Sequence, residues 1–267
     1  MKYSKAAIQA LINGIYDGTV SEYNIPESLY FAIADHLKEA LYTGFGGGLS
    51  DFSGTDYALL NELRTNTYMF SAAKCYTELK VMTGLLTDGD KVRSFSEFKK
   101  TAMHTFEIYN VDYLKSEYNT ALASGEMAIK WQDIERNKDI LPLLQYQTTG
   151  GEVCPICKPL DGLVLPASSA FWKRRYPPNH FNCYCIVTQH EEDELPISKD
   201  IPDTLPLMQD TFKMNVAMDG YVFSPEHPYF DVPKRDKSYA MRNFDLPIPE
   251  KDSKGSKTAK NIIHGII

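Results

Sequence analysis

Four of the chain's five cysteines and one of its six histidines lie within residues 154–185, in the stretches CPIC (154–157) and PNHFNCYC (178–185). This cluster constrains the fold more than any other feature, because side chains that can ligate one ion must be carried to one point by the backbone around them. A tetrahedral zinc ion takes four soft or borderline donors, usually as two close pairs from separate segments. Cys154 and Cys157 form the first pair. Two intervening residues allow a tight turn that aims both sulfurs at one ion while backbone N–H groups donate to the thiolates. The second segment offers His180, Cys183 and Cys185, one donor more than four-fold coordination needs. His180 and Cys183 have the spacing of a turn, whereas Cys183 and Cys185 point to one face if that piece is extended. Either pair is stereochemically reasonable. The expectation is one structural Zn2+ held by four of Cys154, Cys157, His180, Cys183 and Cys185.

Other readings of these residues fit less well. Two disulfides would suit an oxidising compartment, but MKYSKAAIQALINGIYDGTVSEYN at the N-terminus is interrupted by Gln9, Asn13 and Asp17 and does not read as a signal peptide. Buried free thiols are the plain alternative. A redox CxxC would need strands and helices alternating around it, which are missing here. HEEDE at 190–194 has Glu194 where a zinc-protease helix needs its second histidine, and Pro196 follows. A Cys–His protease needs a nucleophile beside a base, yet these cysteines serve better as ligands. His180 and Asn182 faintly suggest a His-Asn-His nuclease, without a second catalytic histidine on a following helix. Four protein ligands would also leave the ion no open position for water or substrate. The chain is therefore not expected to be an enzyme, and a metal-dependent nuclease using His180 is the alternative.

The net charge of −7 argues against a protein that coats nucleic acid or an acidic membrane over its whole surface. A local basic patch is still possible. Lys173, Arg174 and Arg175, beside Trp172 and Tyr176, could touch phosphate and stack on a base, although a solvated turn anchored by one tryptophan is the plainer account. No window is apolar enough to span a membrane, so no membrane partner is expected.

Along the chain an α+β fold is expected, in three parts. Residues 1–142 read as a helical N-terminal region. Asn24 and Pro26 precede Leu29, Ile33, Leu37 and Leu41 at every fourth position, and Leu59, Leu63, Phe70, Ala73 and Leu79 mark a second helix that also holds the isolated Cys75. Between them GFGGGLSDFSG reads as a mobile connector, since it lacks the Gly-Lys-Ser/Thr ending of a phosphate loop. Ser94 and Glu97 have the spacing of a capping box, opening a helix that carries Phe98, Ala102, Phe106, Tyr109 and Tyr113. Residues 143–190 read as a small β-containing module, from LLQYQTT, the Asp161–Gly162 turn, LVL and CYCIVTQ. Residues 191–267 are punctuated by prolines and read as an irregular, extended arm with a loose basic tail from 250 onward.

The segment VCPICKPLDGLVLPASSAFWKRRYPPNHFNCYCIV resembles the core motif of the phage Mu protein F-like family, the minor head or head-morphogenesis proteins of tailed bacteriophages. The shared elements are Cys154 and Cys157, Leu160-Asp161-Gly162, Phe171-Trp172, and Pro177-Pro178 leading to Cys183 and Cys185. Tyr184 stands where many members carry arginine. The resemblance implies a role in virion assembly: a protein of the virion or prohead, in the host cytoplasm during assembly, with the phage portal and other head proteins as partners. It also makes packaged DNA a possible contact of Lys173, Arg174 and Arg175.

Overall fold

A computed structural model of the chain describes residues 3–149, 154–202 and 205–250. Its helices begin where local chemistry provides partners for their free N–H groups. α1 (Lys5–Tyr16) is opened by Ser4, whose hydroxyl accepts from the Ala7 amide at 3.0 Å. α2 (Glu27–Phe45) follows Pro26 directly, and α3 (Gly54–Gly84) is a single long helix. The TDGD turn is a minimal hairpin, β1 (Thr87–Asp88) paired with β2 (Lys91–Val92), with Gly89 at a φ of 59°. α4 (Phe95–Glu107) carries the capping box: Ser94 Oγ accepts from the Glu97 amide, and the Glu97 carboxylate accepts from the Ser94 N–H at 3.0 Å.

Between α4 and α5 (Leu114–Asn137) the backbone makes a π-helical turn, Ile108–Tyr113. A stripe at every fourth residue drifts by about 40° per step on an α-helix. The wider turn counters that drift, so the buried line Phe98, Ala102, Phe106 continues through Asn110 and Leu114. Tyr113, expected on the inward stripe, is exposed instead.

Two compact units are formed, and they do not follow chain order. The first comprises Met1–His36, Thr67–Lys115 and Pro228–Ile267; the second comprises Leu37–Asn66 and Ser116–His227. This division runs differently from the consecutive segments 1–142, 143–190 and 191–267, because each unit joins stretches that are distant in sequence.

The proline-rich stretch is irregular, as expected, but its described portion in the first unit, residues 228–250, is packed. Tyr76 and Tyr23 both donate from their hydroxyls to the Asp236 carboxylate, at 2.6 and 3.1 Å. Tyr30 donates to the Pro247 carbonyl at 2.8 Å, and Phe244 stacks on Tyr76 with 4.8 Å between ring centres. The prolines prevent long elements, while the aromatic and aliphatic residues between them still bury. The expected loose tail, from residue 251 onward, lies outside the described residues.

In the second unit α2 meets α5 at two glycines. A Cβ on Gly44 would sit 1.9 Å from the Leu122 carbonyl oxygen, and one on Gly125 would sit 2.3 Å from that of Leu41. Only hydrogen fits at either place. The following GFGGGLSDFSG stretch, expected as a mobile connector, is a packed turn in which Asp51 accepts from the Gly48 N–H at 2.8 Å and Leu49 is buried. α5 then supports a three-stranded antiparallel sheet of β3 (Leu143–Gln147), β4 (Val164–Pro166) and β5 (Ile186–His190), in the order β4-β3-β5. Leu144 lies opposite Leu165, and Tyr146 opposite Val187, so these four share one face. That face packs on Met127, Trp131 and Ile134 of α5. Gln189 joins the two layers by donating to the carbonyls of Ile134 and Leu141, each at 3.2 Å. Among the described residues no helix is long and apolar enough to cross a membrane.

The glycine crossing gives a direct test. Gly44→Ala and Gly125→Ala are each expected to lower stability by about 2–3 kcal/mol in urea unfolding, the cost of overpacking a closed contact. Gly84→Ala, which meets open space at the end of α3, should change stability by less than about 1 kcal/mol. Equal effects at all three positions would contradict the close approach.

Candidate metal centre

The CPIC turn is built as its spacing suggests. The Cys157 N–H donates to the Cys154 carbonyl at 3.2 Å and lies 3.3 Å from Cys154 Sγ, while the Lys158 N–H donates to the same carbonyl at 3.0 Å. The chain then returns to β3 through Asp161–Gly162. Asp161 accepts from the Thr148 N–H at 2.8 Å, and Gly162, at a φ of 77°, donates to the Tyr146 carbonyl at 2.9 Å. This places Cys157 beneath the sheet, fully buried beside Tyr146.

The second segment forms its own tight turn, in which the Cys183 N–H donates to the His180 carbonyl at 3.2 Å and Asn182 takes a left-handed φ of 58°. Asn182, which faintly suggested a nuclease, serves this turn. Its side chain accepts from Asn119 at 2.9 Å and donates to Ser116 at 3.2 Å. Beyond the turn the chain runs extended into β5, with Cys183 and Cys185 buried and Tyr184 between them 58% exposed. The alternation expected of an extended segment is therefore present.

All five sequence-derived donors come together. Cys154 Sγ is 2.9 Å from His180 Nε2, and Cys157 Sγ is 3.9 Å from Cys183 Sγ. The ligand atoms of Cys154, Cys157 and His180 lie within 4.8 Å of one another, as do those of Cys157, Cys183 and Cys185. Cys157 belongs to both groups and so marks the centre. His180 Nδ1 is 2.7 Å from the Phe181 carbonyl. Donation there leaves Nε2 with its lone pair towards the sulfurs, the usual way a ligating imidazole is oriented.

The contacts within the cluster shift its ionisable groups strongly. Cys183 is drawn far below the usual thiol range by hydrogen bonds with Cys157 and Cys185, with a further contribution from His180. Cys157 moves the opposite way, because its hydrogen bonds with Cys183 and Cys185 and its burial all favour the thiol. For Cys185 the contact with Cys157 lowers the pKa, but Cys183 and burial outweigh it and leave the thiol at about 12. His180 rises to about 9, chiefly through its hydrogen bond with Cys183 and against the effect of burial. Hydrogen bonding within the cluster thus moves neighbouring thiols in opposite directions. A divalent ion at the centre would let the neighbouring thiols ionise as well, releasing protons as it binds. Three sulfurs with one imidazole, or four sulfurs, suit a borderline-soft, tetrahedral ion.

Behind the candidate ligands stands a pair of polar residues that sequence reasoning missed. Asn179 donates to the Tyr146 hydroxyl at 2.9 Å, and Tyr146 donates to Cys157 Sγ at 3.3 Å. Tyr146 reads in sequence as an ordinary strand aromatic, and only the β3–β5 register shows that it faces the sulfurs. Cys75 is a buried side chain in α3, as its isolation suggested.

Stacking of Trp172 and Tyr176 on a base, the lesser of the two readings of this stretch, is ruled out, and the tryptophan is an anchor as the plainer reading has it. Both rings are fully buried: Trp172 donates to the Pro166 carbonyl at 3.0 Å, and Tyr176 meets Trp131 edge-on at 4.9 Å. They fill the core beneath the sheet. On the same short helix, α6 (Trp172–Arg175), Lys173 and Arg174 are exposed, whereas Arg175 is half-buried and donates to the Pro206 carbonyl at 3.2 Å.

No family model matches the chain, and neither curated proteins nor solved structures give a significant match to it.

Tyr146→Phe keeps the ring and removes the hydroxyl, leaving Cys157 without this donor and Asn179 without this acceptor. Urea unfolding should show a loss of about 1–2 kcal/mol, in the range for a broken buried hydrogen bond. Unchanged stability would show that the Asn179–Tyr146–Cys157 chain does not support the centre.

Proposed function

We propose that this chain is a minor head protein of a tailed bacteriophage, acting in head morphogenesis at or near the portal. In this reading a single structural Zn2+ fixes its 143–190 module. The observation that carries the reading is the gathering of Cys154, Cys157, His180, Cys183 and Cys185 into two ligand groups that share Cys157, within the very segment that resembles the Mu F-like motif. Zinc is the ion of choice for sulfur donors with one imidazole, and a coordination sphere filled by protein donors belongs to a structural site. The function is mechanical. Strands of five, three and five residues form a small sheet, and an ion bound at its edge adds binding free energy directly to folding free energy. The module so fixed is a rigid piece for docking to the portal or other head proteins. Lys173 and Arg174 are exposed and can meet phosphates of packaged DNA, while Arg175 is held by its carbonyl contact.

Protein purified under reducing conditions without chelator should hold about one zinc per chain. Cys154→Ser and Cys157→Ser should lose it and loosen residues 143–190, seen as faster amide exchange. For the assembly role, mass spectrometry of purified heads and proheads should find the chain, and the cognate portal should retain it in a pull-down. Absence from both particle types without portal binding, together with metal-dependent cleavage of DNA or RNA, would replace this reading with a nuclease that uses His180.

A further inference from the structure

The HEEDE stretch at 190–194 takes no part in the metal centre, yet its first and last residues meet on the outer face of the small sheet. We propose that Thr188, His190 and Glu194 form a nucleophile–base–carboxylate site that hydrolyses short, uncharged carboxylic esters. This activity goes beyond the assembly reading and does not rest on it.

Register puts the site on the side of the sheet away from the sulfurs. Tyr146 and Val187 face the core, so Thr188 and His190, at alternate positions of β5, point the other way. Thr188 Oγ1 is 2.9 Å from His190 Nε2, and His190 Nδ1 is 2.9 Å from Glu194 Oε1. Donation from Nδ1 to the carboxylate leaves the Nε2 lone pair to accept from the Thr188 hydroxyl. A hydroxyl within hydrogen-bond reach of a base, which a third group orients, is the arrangement of an activated nucleophile. Glu194 is fixed in its turn, since its other oxygen accepts from the Glu191 N–H at 3.3 Å. Its hydrogen bonds with His190 and with the Glu191 backbone hold its carboxyl below the usual range. A fourth group faces the same hydroxyl. Gln145 is paired directly opposite Thr188, a relation that brings Cβ atoms to about 4.5–5.5 Å. Gln147 Nε2 donates to Gln145 Oε1 at 3.0 Å, and Gln145 Nε2 makes no hydrogen bond among the described residues. That amide is a donor available to the oxyanion of an acyl group attacked by Thr188.

Gln145, Thr188 and His190 are all partly exposed, with 15% of the His190 side chain open to solvent. The neighbouring positions on this face carry no charge: Ile186 precedes Thr188 on the same side of β5, and Gln147 lies opposite Ile186. A short acyl chain can rest on Ile186, which is why the substrate class is uncharged esters. In the first step Thr188 Oγ bonds to the acyl carbon while its proton passes to His190 Nε2. The acyl C–O bond then breaks, and the departing alkoxide takes that proton to leave as an alcohol. Water next bonds to the acyl carbon and gives its proton to Nε2. Thr188 recovers that proton as the carboxylic acid leaves, so the sum is ester plus water to acid plus alcohol. Glu194 touches neither substrate nor reacting atoms; it is a positioning residue that holds the ring and stabilises the transient imidazolium.

The test treats the full-length chain with a fluorophosphonate, which mimics an attacked ester and traps an activated hydroxyl covalently. Intact mass should show one adduct per chain, and fragmentation should place it on Thr188, a result that needs no variant to fold. The wild type should also hydrolyse p-nitrophenyl butyrate above the buffer rate. Thr188→Ala should lose both the adduct and the turnover, whereas Thr188→Ser should keep them. His190→Gln should slow labelling by about a hundredfold or more, the contribution of a positioned base. Glu194→Gln should slow it by more than about tenfold, and Glu194→Asp should recover part of that loss, a rescue that a merely structural role would not give. No adduct on the folded wild type, an adduct on another residue, or equal labelling of Thr188→Ala and wild type would overturn the proposal. Labelling of Thr188 without ester turnover would overturn the substrate class.

Discussion

The second unit depends on one convergence: two turns, separated in sequence by a strand and a short helix, bring four sulfurs and an imidazole to the same place under a small sheet. Cys157, Cys183 and Cys185 lie in one apolar cluster with Trp131, Tyr146, Trp172 and Val187. The candidate metal ligands Cys157, Cys183 and Cys185 are therefore part of the hydrophobic core. Sulfur tolerates such surroundings as a thiol but not as several adjacent thiolates, and a bound cation would let the same cluster be both buried and ionised.

The scaffold makes this possible by stacking the sheet on α5. Tyr176 donates to the Met127 carbonyl at 3.0 Å and stands edge-on to Trp131, so the stretch leading into the second turn is anchored to the helix before it reaches the ligands. α5 is itself held against α2 at Gly44 and Gly125, where the backbones approach too closely for any side chain. A rigid support of this kind lets a few short strands hold donor atoms within ångströms of each other.

Much of this was readable in the sequence because it follows from local rules. The Ser94–Glu97 box, the Asp161–Gly162 turn, the CPIC knuckle and the burial of Cys183 and Cys185 around Tyr184 each depend on residues close in sequence. What could not be read depends on distant partners. Tyr146 and Asn179 gain their role only from the strand register and the turn before His180. Beside three basic residues Trp172 could be read as an anchor or as a stacking ring, and only three-dimensional packing shows that it and Tyr176 both turn inward. The proline-rich stretch was correctly irregular, yet its tyrosine–aspartate contacts with Tyr23 and Tyr76 span more than half the chain and leave no local mark.

The structural zinc centre proposed above would account for the donor set and its polar supports without requiring an open coordination position. X-ray absorption at the zinc edge on the purified, reduced protein tests the centre most directly. The account requires a first shell of sulfurs at about 2.3 Å with one nitrogen at about 2.0–2.1 Å. A protein without zinc, or a first shell made of oxygens, would contradict it.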